Sequence, residues 1–472
     1  MKSSFRCEHS SLAYCKHRIE VLGDLQLVRA GLYRALLKDV ICDMLIIEML
    51  ARIHQNKIHF QSALMSETLE LTLTGNAYGG ESFGRDVDGR MVFVPFTLPG
   101  EVVRVHLVEE HKHWARALPE KWVETSDQRI EPRCPHFRTC GGCHYQHIPY
   151  ALQLEIKADV VRDQLVRIGG FEDPPVRSPI ASPESWNYRN NLRFHLTEEG
   201  DLGFVTFDKQ RVFQVKECHL PEQELTDLWA QFDLDPTRAM ENISLRSGGE
   251  GEQMVIIHGT DAPDLEISIE SPTSVVWTSP SGDFILAGQD HFYFVVNGHQ
   301  FRVSALSFFQ VNSKIIPELV QQATTLLSIQ PGQTIFDLYA GVGLFSAAIA
   351  ESDVHVVAVE ESPHASRDFS FNLDRFTHID LYEGAVGIAL PQIKPQPDAV
   401  LIDPPRAGLS RAALDALLER SPSRIVYVSC DPATLSRDGK RLRAGGYSLE
   451  SITPIDLFPQ TFHIETISLW TI

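Results

Sequence analysis

Three things are scarce in this 472-residue sequence: cysteine, long apolar runs and positive charge. Eight cysteines are too few for a secreted disulfide scaffold, and the chain does not open on a basic and then apolar secretion signal. No apolar run reaches the roughly 20 residues that a membrane helix needs. The nearest, residues 41–50, is interrupted by Cys42, Asp43 and Glu48. We therefore expect a protein of the reducing cytoplasm with no membrane partner.

The formal net charge of −20 argues against a protein that holds nucleic acid mainly through a diffuse positive field. Any contact with RNA must then be local. A hydrophobic fraction of 43% with 22% charged residues excludes collagen-like, coiled-coil and wholly disordered chains. The composition is that of a globular protein, for which a monomer is the default, and 472 residues predict two or three domains.

The N-terminal part of the chain divides into two regions of different character. Residues 1–64 hold three isolated cysteines and no recognisable motif. We expect an extension of doubtful structure, either an upstream segment before a true start at Met65 or a small helical addition around residues 31–53. Residues 65–124 alternate apolar and polar side chains between Gly, Asp and Pro turns, which predicts a small OB-like β-barrel.

Residues 125–304 form a β-rich middle region that opens on a cysteine cluster and a predicted helix over residues 152–168. Residues 305–472 alternate helices with short apolar strands, which is typical of a doubly wound parallel α/β sheet. The barrel has six Lys or Arg against ten Asp or Glu between residues 66 and 124, so it has no basic stripe. It either binds RNA on one face or only packs against its neighbour.

Four cysteines stand at spacings that suit a metal centre. Cys134, Cys140 and Cys143 fall within ten residues around a Gly-Gly turn, and Cys218 lies far downstream. The unequal intervals of five and two residues fit a four-cysteine iron–sulfur cluster better than paired zinc knuckles. Zinc and unliganded thiols are the alternatives, and Cys218 is the weakest of the four from spacing alone.

A glycine loop follows the first strand of the C-terminal region. Residues 336–346 read as a strand that ends at Gly341 and Gly343 and opens a helix, and glycines there let a ligand approach the backbone. The next strand ends in Glu360, about 20 positions on, where a ribose diol would be held. Because a third glycine is absent, S-adenosylmethionine (SAM) fits better than a dinucleotide. A plain strand-to-helix turn is the alternative.

Three more candidates stand near the ends of later strands. Asp403 opens a stiff Asp-Pro-Pro-Arg loop beside the expected cofactor crevice. Cys430 follows the next strand, where nucleophiles belong in such sheets, although a free cysteine is more often a small buried apolar group. Glu465 lies between apolar neighbours, and burying a carboxylate costs free energy unless it is paired or functional. Taken alone, each also has an ordinary structural explanation.

The order of the motifs along the chain is more informative than any one of them. They are SFFQVN at 307–312, DLYAGVGLFS at 337–346, VEES at 359–362, DPPRAGL at 403–409, SCDPATLSRD at 429–438 and HIET at 463–466. In this order they resemble the RNA uracil-5-methyltransferases that use SAM, over nearly everything from Glu67 onward. A TRAM-type barrel combined with a C-x5-C-G-G-C cluster is similar to the ribosomal RNA branch of that family.

The resemblance implies a role for each candidate residue. Uracil C5 is a weak nucleophile until a thiolate adds at C6, and Cys430 matches that thiolate. Glu465 matches the general base that removes the C5 proton, and Asp403 an acid near the reacting base. The remaining matches are substrate stacking by Phe308, cofactor contacts by Gln310, Tyr339, Glu360 and Asp403, and [4Fe–4S] ligation by Cys134, Cys140, Cys143 and Cys218. The target uracil must be flipped into the pocket.

The resemblance therefore implies SAM-dependent C5 methylation of a uridine in RNA. We expect 23S rRNA as the partner, because barrel plus cluster resembles the rRNA branch, and tRNA is the alternative. An amino-group methylase would share the cofactor loop but would need neither Cys430 nor Glu465. A binding module with a degenerate methylase fold is a third possibility, against which the intact set of candidate residues argues.

Overall fold

The computed structural model describes residues 68–231, 239–263 and 272–472. Within them, Leu69–Ile472 form one compact unit. The expected N-terminal extension, residues 1–64, and the expected start at Met65 lie outside the described residues. In the described part of the chain, no helix is both long enough and apolar enough to cross a membrane.

The first part of the described chain is a closed five-stranded barrel with the strand order β1-β2-β3-β5-β4. Its strands are β1 Thr68–Asn76, β2 Glu81–Arg85, β3 Met91–Pro95, β4 Val102–Glu110 and β5 Trp114–Glu124. The period-2 pattern turns alternate apolar side chains inward, so that Leu71, Leu73, Val92 and Val94 are buried in one small core. The predicted β-barrel is confirmed.

The middle region is built on a seven-stranded sheet with the order β12-β11-β10-β9-β6-β7-β8, followed by the hairpin β13-β14. These strands are β6 Asn191–Leu196, β7 Leu202–Val205, β8 Val212–Gln214, β9 Met240–Ser247, β10 Gln253–Gly259, β11 Thr273–Ser279, β12 Gly282–Ala287, β13 His291–Val296 and β14 His299–Ser304. The predicted helix is present as α1, Tyr150–Gln164, which continues into a π-helical turn at Leu165–Gly169. A short helix that was not predicted, α2 at Gln223–Ala230, buries Leu225 and Leu228.

The C-terminal region is a doubly wound α/β sheet with the order β17-β16-β15-β18-β19-β21-β20, and this fold class is confirmed. Its strands are β15 Thr334–Leu338, β16 His355–Glu360, β17 Ile379–Glu383, β18 Ala399–Ile402, β19 Arg424–Ser429, β20 Ser448–Ile455 and β21 Glu465–Thr471. Its helices are α3 Ile316–Leu327, α4 Leu344–Ala350, α5 Pro363–Asn372, α6 Val386–Ala389, α7 Arg411–Arg420 and α8 Pro432–Ala444. The strands are near-continuous apolar runs because successive side chains enter the two separate cores that cover the sheet.

Two features of this sheet fix where a site can form. The strand order reverses between β15 and β18, which opens a crevice at the carboxyl ends of the parallel strands. Strand β21 runs antiparallel to β19, with Ser429 paired with Thr466, so the start of β21 meets the end of β19. Sequence neighbours of that pair, Cys430 and Glu465, are therefore brought to the same edge although 34 residues of chain separate them.

Candidate active site

The glycine loop after β15 is tied to the end of β16. The backbone N–H groups of Tyr339 and Ala340 both donate to the carbonyl oxygen of Val359, at 2.9 and 3.0 Å. Gly343 has a φ of +93°, and a Cβ there would lie 2.7 Å from Leu373 Cδ1, so only glycine is accommodated at this position. The loop thus presents backbone, and the half-buried ring of Tyr339, to the crevice.

Glu360 is held rigidly at the carboxyl end of β16. Its Oε2 accepts from the N–H of Gly341 at 2.8 Å, and its Oε1 accepts from the N–H of Ser362 at 2.7 Å. A carboxylate has about four lone-pair positions, so two acceptor positions remain for hydroxyl groups. The expected location of Glu360, on the strand next to the glycine loop, is where the structure places it.

Asp337 is a buried acid of the cofactor crevice that sequence reasoning did not select. It lies within apolar β15, its Oδ2 accepts from Ser346 Oγ at 2.6 Å, and its buried Oδ1 has no hydrogen-bond partner among the described residues. Burial raises the pKa of Asp337 to about 7, the Ser346 hydrogen bonds oppose this rise, and the charge of Glu360 adds to it. An acid inside a strand of apolar residues was the available signal.

Asp403 follows β18 and lies beside Gln310. Gln310 Nε2 donates a long hydrogen bond of 3.5 Å to Asp403 Oδ2, which joins two candidates 93 residues apart. Gln310 is itself fixed, because Asn190 Nδ2 donates to its carbonyl oxygen at 2.9 Å. Burial, followed by the charge of Asp337, raises the pKa of Asp403 to about 7. At neutral pH this carboxyl group can either hold or accept a proton.

Cys430 lies in the turn between β19 and α8. Burial raises the pKa of its thiol to about 12, the charges of Glu465 and Asp403 add to this rise, and Arg406 opposes it. The structure therefore brings together the thiol, the two carboxyl groups and one guanidinium group. The resting thiol is protonated, so its reaction requires a nearby proton acceptor.

Glu465 is the first residue of β21, and only 3% of it is exposed. Burial and then the charge of Asp403 raise the pKa of Glu465 well above its usual value, while Arg406 lowers it. A carboxylate with a raised pKa is a stronger base once it is ionised, which suits removal of a proton from carbon.

Phe308 and Phe309 point in opposite directions. Phe309 is buried and stacks on Phe294, with ring centroids 4.5 Å apart, which anchors the segment. Phe308 is 69% exposed, an unusual position for a large aromatic ring. Gln310, two residues on, reaches Asp403, so the exposed ring stands on the same segment as a crevice contact.

The four predicted metal-ligating cysteines are gathered from two separate segments. Burial raises the pKa of the Cys143 thiol, and the charges of Cys218, Cys140 and Cys134 add to the rise. The pKa of Cys218 is raised to about 11, mainly by burial and also by Cys140 and Cys134. The described residues nevertheless contain no group of three or more His, Cys, Asp or Glu side chains in metal-holding geometry. The iron–sulfur cluster therefore stays a prediction.

Comparison with known proteins agrees with this geometry. The TRAM domain matches residues 65–118, and the tRNA (Uracil-5-)-methyltransferase family matches residues 382–471. An uncharacterised RNA methyltransferase of Gloeobacter violaceus is 31% identical, covering 86% of this chain and 96% of the relative. The 23S rRNA (uracil(1939)-C(5))-methyltransferase RlmD of Shewanella sediminis is 31% identical, covering 85% of this chain and 95% of the relative.

The fold is shared with a solved structure. The Pyrococcus abyssi tRNA (uracil-54, C5)-methyltransferase, crystallised with S-adenosyl-L-homocysteine, superposes with a TM-score of 0.66 at 24% identity, covering 85% of this chain and all of that one. The relatives identify the chain as an RNA methyltransferase. The chain belongs to the RNA uracil-C5 methyltransferase family. The resemblance drawn from the order of the motifs is thereby confirmed.

Proposed function

We propose that this protein transfers the methyl group of SAM to C5 of a uridine in 23S rRNA, through a covalent adduct between Cys430 and C6. The observation that carries the proposal is the meeting of Cys430, Asp403 and Glu465 at the crevice, close enough to shift one another's pKa. An amino-group methylase has no use for a thiol and a second buried acid at this place. Family membership favours the same reaction.

The site residues supply each step of the proposed reaction. Asp403, with a pKa of about 7, takes the thiol proton, and the Cys430 sulfur bonds to C6 while the electron pair moves toward C5. The methyl group would come from SAM: as C5 forms its bond to that carbon, the S–CH3 bond would break and S-adenosylhomocysteine would be left. Glu465 then removes the C5 proton, and the C6–S bond breaks to release Cys430 as thiolate. Both carboxyl groups ionise more readily when the cationic cofactor is bound beside them.

Cofactor contacts are proposed for Gln310, Tyr339, Glu360 and Asp403, which line the crevice from the glycine loop to the end of β18. The two remaining acceptor positions of Glu360 suit the ribose hydroxyls. The ring of Phe308 is proposed to stack on the flipped uracil, since an exposed aromatic ring next to the crevice offers a π-face at low cost.

A chain of aromatic rings on the barrel supports RNA binding despite the acidic charge. His111 stacks on Trp114 with centroids 4.1 Å apart, and Phe93 meets the same indole edge-to-face at 6.4 Å. Arg116 lies over Trp114 at 5.3 Å. Ring faces bind unpaired bases by stacking, which needs little positive charge. We propose that residues 65–124 hold flanking RNA, that residues 125–304 carry the cluster, and that residues 305–472 carry the chemistry.

The same proposal assigns a [4Fe–4S] cluster to Cys134, Cys140, Cys143 and Cys218. Support comes from the burial of Cys143 and Cys218, whose pKa is raised further by the charges of Cys134 and Cys140, because a cationic centre would stabilise such thiols as thiolates. The N–H of Gly142 also points to Cys140 Sγ at 3.4 Å, as amides do toward cluster sulfurs. Iron and sulfide content of anaerobically purified protein tests the assignment, with a Cys218→Ser variant expected to lose the cluster.

The decisive experiment for the reaction uses anaerobically purified protein, SAM labelled in its methyl group, and unmodified 23S rRNA or tRNA. We expect label in 5-methyluridine of 23S rRNA, and none with Cys430→Ala. Label in another nucleoside, or undiminished label with the variant, would overturn the thiolate mechanism. Label in tRNA alone would leave the chemistry in place and replace the proposed substrate.

A further inference from the structure

The turn between β1 and β2 carries a barrel side chain into the active site. The hydroxyl of Tyr78 donates a hydrogen bond of 2.8 Å to Asp431 Oδ2, across 353 residues of sequence. Asp431 directly follows Cys430, the proposed nucleophile. A residue of the barrel therefore contacts the turn that holds the reacting sulfur.

Asp431 also caps a helix, so both of its carboxylate oxygens are held by hydrogen bonds. Its Oδ1 accepts from the backbone N–H groups of Ala433 and Thr434, at 3.0 and 2.9 Å, and so caps the N-terminus of α8. One carboxylate oxygen thus fixes the helix, and the other is fixed by the barrel. With both oxygens engaged, the peptide that carries Cys430 is held from two sides.

The same barrel turn is packed tightly against the segment before Glu465. The ring of Tyr78 meets the ring of Phe462 edge-to-face, with centroids 5.9 Å apart. Gly80 has a φ of +88°, and a Cβ there would lie 3.1 Å from the Cβ atoms of both His144 and Phe462. This close approach requires glycine, and it fixes how far the tyrosine reaches into the site.

We propose that Tyr78 is a positioning residue for the nucleophile, acting on Cys430 through its hydrogen bond to Asp431. The inference rests on the proposed covalent mechanism and goes beyond it, because it gives the barrel a part in the chemistry as well as in RNA binding. Burial and the charge of Asp431 raise the pKa of Tyr78, so its hydroxyl stays a proton donor. As a neutral donor, Tyr78 disperses the negative charge of Asp431 beside the thiol.

The test compares Tyr78→Phe with wild type and with Tyr447→Phe. The control removes a buried structural hydroxyl away from the crevice, which donates to the carbonyl oxygen of Pro422 at 2.7 Å. The readout is the rate of covalent adduct formation with RNA containing 5-fluorouridine. We expect Tyr78→Phe to slow adduct formation about tenfold, as loss of one hydrogen bond to a charged group predicts. SAM affinity is expected to change less than about twofold, and Tyr447→Phe to leave the rate unchanged.

A pH profile separates positioning from a general loss of stability. The groups that face Cys430 are Glu465, Asp403, Arg406, Asp431 and Tyr78. Without the tyrosine hydroxyl, the undispersed charge of Asp431 raises the thiol pKa further, so the rate of adduct formation is expected to rise at higher pH than in wild type. An unshifted profile would overturn the proposal.

A double-mutant cycle with Asp431→Asn tests whether Tyr78 acts on Cys430 through Asp431. Asparagine keeps the helix cap and removes the charge that Tyr78 disperses. If Tyr78 acts through Asp431, the double variant is expected to be slower than Asp431→Asn by much less than tenfold. Additive effects, or an equal loss in Tyr447→Phe, would overturn the inference alone. Absence of adduct with wild-type protein would overturn the proposed mechanism and the inference with it.

Discussion

The Asp337→Asn substitution is expected to destabilise the folded protein at acid pH and to stabilise it at alkaline pH. In the folded protein burial raises the pKa of Asp337 to about 7, against a usual value of 3.8. The folded state therefore binds a proton more tightly than the unfolded chain, and the stability that this proton contributes is fully present below about pH 4 and is lost progressively as the pH rises to about 7. Moving a pKa from 3.8 to about 7 corresponds to about 4 kcal/mol.

The asparagine side chain does not ionise, so the stability of the variant does not fall with the ionisation of this position as the pH rises. It keeps an acceptor for Ser346, but its amide group replaces an oxygen, Oδ1, that has no hydrogen-bond partner in the described part of the chain. Leaving a buried donor unpaired costs about 1–3 kcal/mol. Asp337→Asn is therefore expected to be less stable than wild type by about 1–3 kcal/mol below about pH 4, of similar stability near pH 5, and more stable by about 1–3 kcal/mol at pH 8.

Urea unfolding of the cofactor-free protein at several pH values measures this difference. Asp374→Asn, which removes one exposed carboxylate from the same region, is the matched control and is expected to show no crossover. A difference in unfolding free energy between Asp337→Asn and wild type that stays constant from pH 5 to pH 8 would refute the reasoning. SAM affinity at pH 8 is expected to fall in the variant, because a negative charge is lost beside a cationic ligand.

Three further outcomes are expected. The affinity for SAM, measured by calorimetry, is expected to rise between pH 6 and pH 8 as Asp403 ionises. S-adenosylhomocysteine has an uncharged sulfur, so its affinity is expected to rise less steeply with pH. Equal slopes of affinity against pH for the two ligands would contradict the assignment of Asp403. Glu465→Gln cannot take the C5 proton, so turnover is expected to fall about 10²–10⁴-fold. The labelled methyl group should then accumulate on a covalent protein–RNA adduct, which denaturing gels detect. Release of free product at the normal rate would show that Glu465 is not the base. Lys157 and Asp456 form a buried ion pair of 2.6 Å, and Lys157→Met removes the cation of that pair. The free energy of unfolding at pH 8 is expected to fall by about 3–5 kcal/mol. A loss below about 1 kcal/mol would show that the pair contributes little to stability.

Much of the site could be predicted from the sequence because its residues stand at strand ends. The parallel strands are short and apolar, and residues that follow such strands meet at one edge of the sheet. Local patterns therefore made Glu360, Asp403 and Cys430 candidates, and the family resemblance implied their roles. Glu465 was not placed by this rule, since its strand runs antiparallel; the family resemblance assigned its role, and the register of β21 explains its position.

Contacts between distant segments could not be predicted in the same way. No local pattern brings Tyr78 to Asp431, because the contact depends on how the barrel packs against the catalytic region. Asp337 was missed because its position inside an apolar strand, the one signal in the sequence, does not by itself show that the carboxyl group is buried. Helix α2 was missed because eight residues are too few for a convincing period.

The aromatic chain on the barrel bears on how RNA binding responds to salt. Each phosphate neutralised by Lys or Arg releases counterions, which steepens the fall of affinity with ionic strength. Here Arg90 and Arg116 are already paired with carboxylates of the barrel itself, and ring faces release no counterions. We expect a plot of log affinity against log salt concentration with a slope shallower than about −3. Such an enzyme stays bound to RNA at ionic strengths that dissociate proteins whose binding depends on many Lys and Arg contacts to phosphate.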